Sequence, residues 1–198
     1  MILNTTPLAA TLLAAALSLS TTIAGIAHAA PESYTADPAH TYANFEVNHL
    51  GFSTARGMFT STSGNIVLDR SARTGSIDIT IDTASLYTGH AKRDEHLRGE
   101  DFFNVAQFPT MRFKSTKPRF HKGDLNGADG ELTLLGKTLP VTLTVTSFNC
   151  GQHPIAKKPV CGANAVATIK RSDWGMNAYV PALSDAVHLE IQIEAFKD

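Results

Sequence analysis

Several stretches of this chain change character at every second residue, and that period constrains the fold more than any other feature. In "SIDITID", Ile77, Ile79 and Ile81 fall on one side and Asp78, Thr80 and Asp82 on the other. In "VHLEIQIEA", Val187, Leu189, Ile191 and Ile193 oppose His188, Glu190, Gln192 and Glu194. "VTLTVTSF" sets Val141, Leu143 and Val145 against Thr142, Thr144 and Thr146. "TMRFKST" sets Met111 and Phe113 against Arg112 and Lys114, and "NFEVNHL" sets Phe45 and Val47 against Asn44, Glu46 and Asn48. A period of two with β-branched residues reads as half-buried antiparallel strands. Turn signals fall between them at Ser63-Gly64-Asn65, Arg73-Thr74-Gly75, Asn126-Gly127 and Gly136-Lys137.

Seven or eight strands with one apolar face each must bury those faces together, as a sandwich or a closed barrel. A barrel of about eight strands has room inside for side chains or for one small ligand. A membrane barrel also alternates, with its apolar face outward, but its strands need about 9–11 residues to cross. The alternating runs here are mostly five to nine residues long, which favours the inward-facing arrangement. No repeat or linker divides the chain, so residues 30–198 read as one domain.

The first 29 residues contain no Lys, Arg, Asp or Glu. A largely apolar run, Leu8 to Leu19, precedes Ala27-His28-Ala29, a small-x-small cleavage site. The run is too short to span a bilayer and reads as a secretory signal peptide over 1–29, with export to the periplasm. All the charge lies downstream, so the mature part keeps the formal net charge of −1. That balance gives no basic footprint for nucleic acid. Two cysteines, Cys150 and Cys161, are the chain's only ones; an even count in an oxidising compartment points to a disulfide, with two free thiols as the alternative.

Ser85 to Asn104 departs from the pattern. "RDEHLRGEDFFN" packs six charged residues into nine positions and ends on Phe102 and Phe103. His90, Arg93, Asp94 and Leu97 share a helical stripe, Asp94 is spaced to pair with Arg98, and Gly99 ends the helix. A short helix with one wet face and two aromatic rings is suited to cover one open end of a barrel, or to plug its core.

Four blocks in order carry a family resemblance: "DPAHTYANFEVNHLGFSTARGMF" (37–59), "SLYTGHAKRDEHLRGEDFFNVAQFPTMRFKST" (85–116), "GELTLLGKTLPVTLTV" (130–145) and "IKRSDWGM" (169–176). Together they resemble the YceI-like family of periplasmic polyisoprenoid-binding proteins over nearly the whole mature chain. The resemblance implies an all-β fold, an extended lipocalin-like antiparallel eight-stranded β-barrel with a short helical segment covering one end. It also implies a long apolar pocket for an isoprenoid or another long-chain amphiphilic lipid, without stable membrane insertion. Tyr42 and Trp174 depart from the family pattern at positions that shape the pocket.

The inward-facing rows give the lining candidates: Phe45, Val47, Phe59, Ile79, Ile81, Leu97, Phe102, Phe103, Phe113, Leu143, Trp174 and Met176. Alternation marks an inner face and not a void, so each is equally a candidate for ordinary core. A prenyl diphosphate head would want donors, and Arg93, His96 and Arg98 are the nearest on the helix; a solvated helix face is the plain alternative. An isoprenoid quinone is the other ligand considered. Arg171 and Asp173 read as a structural pair in a bend. No G-x-S-x-G elbow, phosphate loop or H-E-x-x-H pair occurs, and the histidines are scattered, so neither catalysis nor a metal site is expected. The function expected is a binding or carrier protein for a lipid held in the barrel. A hydrolase or isomerase of such lipids and a stress-related scaffold without ligand are the alternatives, and a homodimer is compatible with the sequence.

Overall fold

The structure is a computed structural model that describes residues 1, 30–122 and 124–198. The signal peptide read over residues 1–29 lies outside the described residues apart from Met1. Eleven strands and one helix follow in order: β1 (Glu32–Ala36), β2 (Tyr42–His49), β3 (Ser53–Phe59), β4 (Thr62–Asp69), β5 (Thr74–Asp82), β6 (Leu86–Tyr87), α1 (Ala91–Arg98), β7 (Thr110–His121), β8 (Asp124–Leu134), β9 (Lys137–Gln152), β10 (Pro159–Lys170) and β11 (Leu183–Lys197).

Eight of the strands close a barrel in the order β1-β4-β5-β7-β8-β9-β10-β11, and β11 returns to β1. All pairings are antiparallel. The expected eight-stranded barrel is therefore present, with an annex of three strands. The C-terminal part of β11 pairs with β1 (Ala36↔Ala195), while its N-terminal part pairs with β2 (Val47↔Val187). β3 and the short β6 extend that second branch. Pro38, which has no backbone N–H and a fixed φ, lies in the five-residue break between β1 and β2.

Two expectations about the strands need correction. The strands β7 to β11 run to 11–16 residues, longer than the alternating runs indicated. They nonetheless turn their apolar rows to the interior, where Ile79, Ile81, Met111, Phe113, Leu132 and Val141 are buried together, while Arg112 and Asp78 pair on the exposed face at 2.5 Å. Apolar inside and charged outside is the reverse of a membrane barrel. Second, Ser63-Gly64-Asn65 and Asn126-Gly127 are not turns; they lie within β4 and β8. At Gly64, with φ +145°, a Cβ would sit 2.1 Å from the Asp78 carbonyl oxygen, so glycine there allows two backbones to approach. Gly136 is a true turn glycine, following Leu135 with both φ positive.

α1 begins at His90, whose ring Nδ1 accepts from the Arg93 N–H at 3.3 Å, and ends at Gly99 as expected. The Asp94–Arg98 pair is not formed. Asp94 is buried and accepts from the backbone N–H of Thr88 at 2.9 Å and from its hydroxyl. Arg98 instead donates to the carbonyls of Ala84 (2.9 Å) and Leu86 (2.5 Å). Both side chains thus tie α1 to the segment before it, which has backbone groups to satisfy and no full strand to satisfy them.

Cys150 and Cys161 face each other across β9 and β10 and are joined in a disulfide. Closing so short a hairpin is worth about 3 kcal/mol by chain entropy. Reduction is expected to lower the unfolding free energy by about that amount, and alkylation of the unreduced protein should leave both cysteines unlabelled. Two added labels on the native protein would show the bridge absent.

Candidate ligand-binding site

The inward apolar rows do not meet at the barrel axis. They leave a cavity of about 560 Å³, within the roughly 300–1,000 Å³ of small-molecule sites. Along β11 its wall runs from Leu183 through Val187, Leu189, Ile191 and Ile193 to Ala195. At about 3.3 Å per residue that stretch covers roughly 40 Å of extended strand. The cavity is a tunnel rather than a chamber.

The closed end lies where β11 pairs with β1. Tyr34, Cys161 and Ala195 are buried there against Phe148. The Tyr34 hydroxyl donates to Glu32 Oε2 at 2.6 Å. Burial, then the Glu32 carboxylate, push the phenol up to about 12, so it stays protonated. The open end lies where β11 pairs with β2. His49, Leu50 and Ala55 come from the β2–β3 hairpin, Tyr179, Ala182 and Leu183 from the loop entering β11, and Arg93, His96 and Leu97 from α1.

Among the candidates named from the sequence, Phe45, Val47, Phe59, Ile79, Ile81, Leu97, Phe102, Phe103, Phe113, Leu143 and Met176 all line this tunnel. Phe103 meets Phe59 edge-on at 5.2 Å and Phe45 at 6.4 Å, a geometry that aromatic rings favour. Phe102 is buried, with its ring 5.2 Å from His96 and stacked on Tyr179 at 6.1 Å. Trp174 is the exception: it is buried in the core and is not on the tunnel wall, and its indole Nε1 donates to the Leu132 carbonyl at 3.2 Å. A buried indole needs such a partner, and here the partner lies in β8.

The polar groups on the wall are few. Arg93 donates to the Thr88 hydroxyl at 2.8 Å and to the Thr88 carbonyl at 2.7 Å. Arg56 pairs with Glu46 at 2.5 Å. Arg171, expected to pair with Asp173, is buried and donates instead to the carbonyls of Ser184 (2.9 Å), Met176 (2.9 Å), Ala178 (2.8 Å) and Leu183 (3.2 Å). Burial draws its guanidinium below the ordinary arginine range, and Asp185 partly offsets this. Asp185 in turn accepts from the Ser172 N–H and hydroxyl. Thr62 is buried on the wall, and its hydroxyl has no hydrogen-bond partner among the described residues. No Asp, Glu, Lys or Ser is among the lining residues. Among the described residues no group of three or more His, Cys, Asp or Glu is placed to hold a metal ion.

Sequence reasoning missed Tyr34, Arg56, Arg171 and the small residues of β10. The last had a signal: Cys161, Ala163 and Ala165 recur with period two and line the tunnel. An inward row of small side chains leaves room where a row of Leu or Phe would close it. Arg56 and Arg171 offered none, because an arginine in a strand or bend reads as surface.

Three comparisons bear on this architecture. The Escherichia coli O157:H7 protein YceI is 36% identical over 172 residues, 86% of this chain and 89% of that one. The crystal structure of the Campylobacter jejuni YCEI protein matches with a TM-score of 0.65 at 29% identity, covering 76% of this chain and 90% of that one. A structure described as a polyisoprenoid binding domain from Saccharophagus degradans, implicated in plant cell wall breakdown, matches at 16% identity with a TM-score of 0.62, over 84% of this chain and 99% of that one; at that identity it shows the shared fold alone. The profile of the YceI-like domain matches residues 34–195, nearly the whole barrel from the first strand to the last, and the chain therefore belongs to the YceI-like family.

Proposed function

We propose that this chain is a periplasmic protein that carries or sequesters a polyisoprenoid, or a similar long amphiphilic lipid, with a neutral head such as a quinone. The observation that carries the reading is the tunnel itself: long, apolar, and lined by three arginines that are already engaged by Glu46, Thr88 and backbone carbonyls. A diphosphate needs charge-assisted donors that are free to turn to it. An apolar chain needs only burial, at about 0.8 kcal/mol for each CH₂ before the costs of ordering. The description of the Saccharophagus degradans domain as polyisoprenoid-binding supports the ligand class.

Native mass spectrometry of protein purified without detergent tests the reading, with a retained lipid of defined mass as the expected result. Titration with geranylgeraniol and geranylgeranyl diphosphate tests the head. Arg93→Gln combined with His96→Gln is expected to leave the affinity ratio of the two ligands within about twofold. A fall of about tenfold, equivalent to about 1.4 kcal/mol, would restore the diphosphate and place its head at the mouth.

A further inference from the structure

We propose that the rim of the tunnel mouth is a docking lip for a lipid bilayer, in which Leu50, Phe52, Tyr179 and Val180 enter the membrane interface and set the opening against it. The inference rests on the lipid reading above.

Single exposed hydrophobics are ordinary, but these four are grouped. Phe52 is 89% exposed, Tyr179 57%, Leu50 50% and Val180 37%. Leu50 and Phe52 sit on the β2–β3 hairpin, and Tyr179 and Val180 in the loop entering β11. The two loops are fastened side by side: the Leu50 N–H donates to the Ala182 carbonyl at 3.0 Å, and His49 lies opposite Leu183. Leu50 and Tyr179 also line the tunnel. The exposed apolar patch and the apolar lumen are therefore one continuous surface.

Two bulky lip residues take a left-handed backbone, as Arg73, Lys122, Leu135 and Lys157 do at other turns. Leu50 has φ +56° and Tyr179 φ +60°, in the left-handed region that Gly, Asn and Asp take at low cost and bulky residues rarely do. At a solvent-facing turn an asparagine would serve the fold better than leucine. At the lip both positions are held by apolar side chains that also line the tunnel. The Gly51 N–H to Asn48 Oδ1 bond (2.8 Å) and the Phe52 N–H to His49 carbonyl bond (3.0 Å) hold the turn in shape, so the apolar tips are presented on a firm support.

A bilayer is the occupant that the geometry favours. A water-insoluble cargo exchanges with a lipid phase, and a lip continuous with the lumen spares the chain a passage through water. A second copy seated on the same rim would shut the opening. The nearby Arg56 is already paired with Glu46, so docking is apolar in character and depends weakly on salt.

The test is flotation of the purified protein with phosphatidylcholine vesicles, beside titration with farnesol in solution. The wild type should float with the vesicles in low and high salt. Phe52→Asp with Val180→Asp should reduce vesicle partition at least about tenfold, equivalent to about 1.4 kcal/mol, with melting temperature and farnesol affinity unchanged. Wild-type protein that stays in the vesicle-free fraction would overturn the lip. So would equal flotation of the variant, or a solution dimer that the variant splits without any vesicle binding. Flotation without farnesol uptake would keep the lip and remove the cargo reading.

Discussion

Ala163→Phe is expected to abolish binding of a long isoprenoid while the barrel melts at the same temperature or higher. Ala163 lies on β10 between Phe148 of β9 and Ile193 of β11, and it lines the tunnel. A phenyl ring placed there enters the lumen. In a filled core such overpacking costs about 1–3 kcal/mol. In an open apolar tunnel the same ring gains burial worth about 1.5–3 kcal/mol. The sign of the stability change therefore separates a void from a core, independently of any ligand. Binding should weaken by at least about tenfold, the loss that follows from displacing only two buried CH₂ groups. A lowered melting temperature with ligand affinity retained would mean that this part of the barrel is packed solid.

Arg171→Ala is expected to destabilise the protein by about 3–5 kcal/mol, because each buried carbonyl left without its donor costs about 1–3 kcal/mol. The guanidinium is the hub of the loop between β10 and β11, reaching carbonyls at Met176, Ala178, Leu183 and Ser184. Its removal leaves several of those carbonyls without a donor. Lysine should rescue little, since an ammonium cannot present the planar fork that meets four acceptors at once. Denaturant unfolding of the two variants checks this; a loss below about 1 kcal/mol would show that water replaces the arginine without difficulty. Because the same loop carries Tyr179 and Ala182 on the tunnel wall, ligand release should quicken even where the variant remains folded.

The barrel was legible because strand alternation is a property of local sequence, and its burial demands leave few architectures. The glycines of β4 and β8 misled for an equally local reason. A glycine that opens a turn and one that lets two backbones approach look alike until the opposite strand is known, and for Gly64 that strand is β5. The helix was read with its end at Gly99 right, but its partners were not. An i,i+4 pair is the only contact that sequence spacing can propose for Asp94, whereas Thr88 and the turn around it offered better geometry. The aromatic rows of the site were visible as an inward face. Whether that face enclosed a core or a void depended on the small residues of β10 and on the distance across the barrel, which no single strand encodes.

β11 is shared between β1 at one end and β2 at the other, and this has a consequence for the order of events as the chain is made. The seam joins the first strand to the last: the Thr35 hydroxyl meets the Asp198 carboxylate at 2.6 Å, across 163 residues of sequence. Until the final fifteen-residue strand is available, β10, β1 and β2 all present open edges. Long-range pairing of this kind is intrinsically slow. A nascent barrel of this type stays unclosed through nearly all of its synthesis, which leaves it threadable. For the periplasmic protein proposed above, late closure delays folding while the chain can still be passed through a membrane.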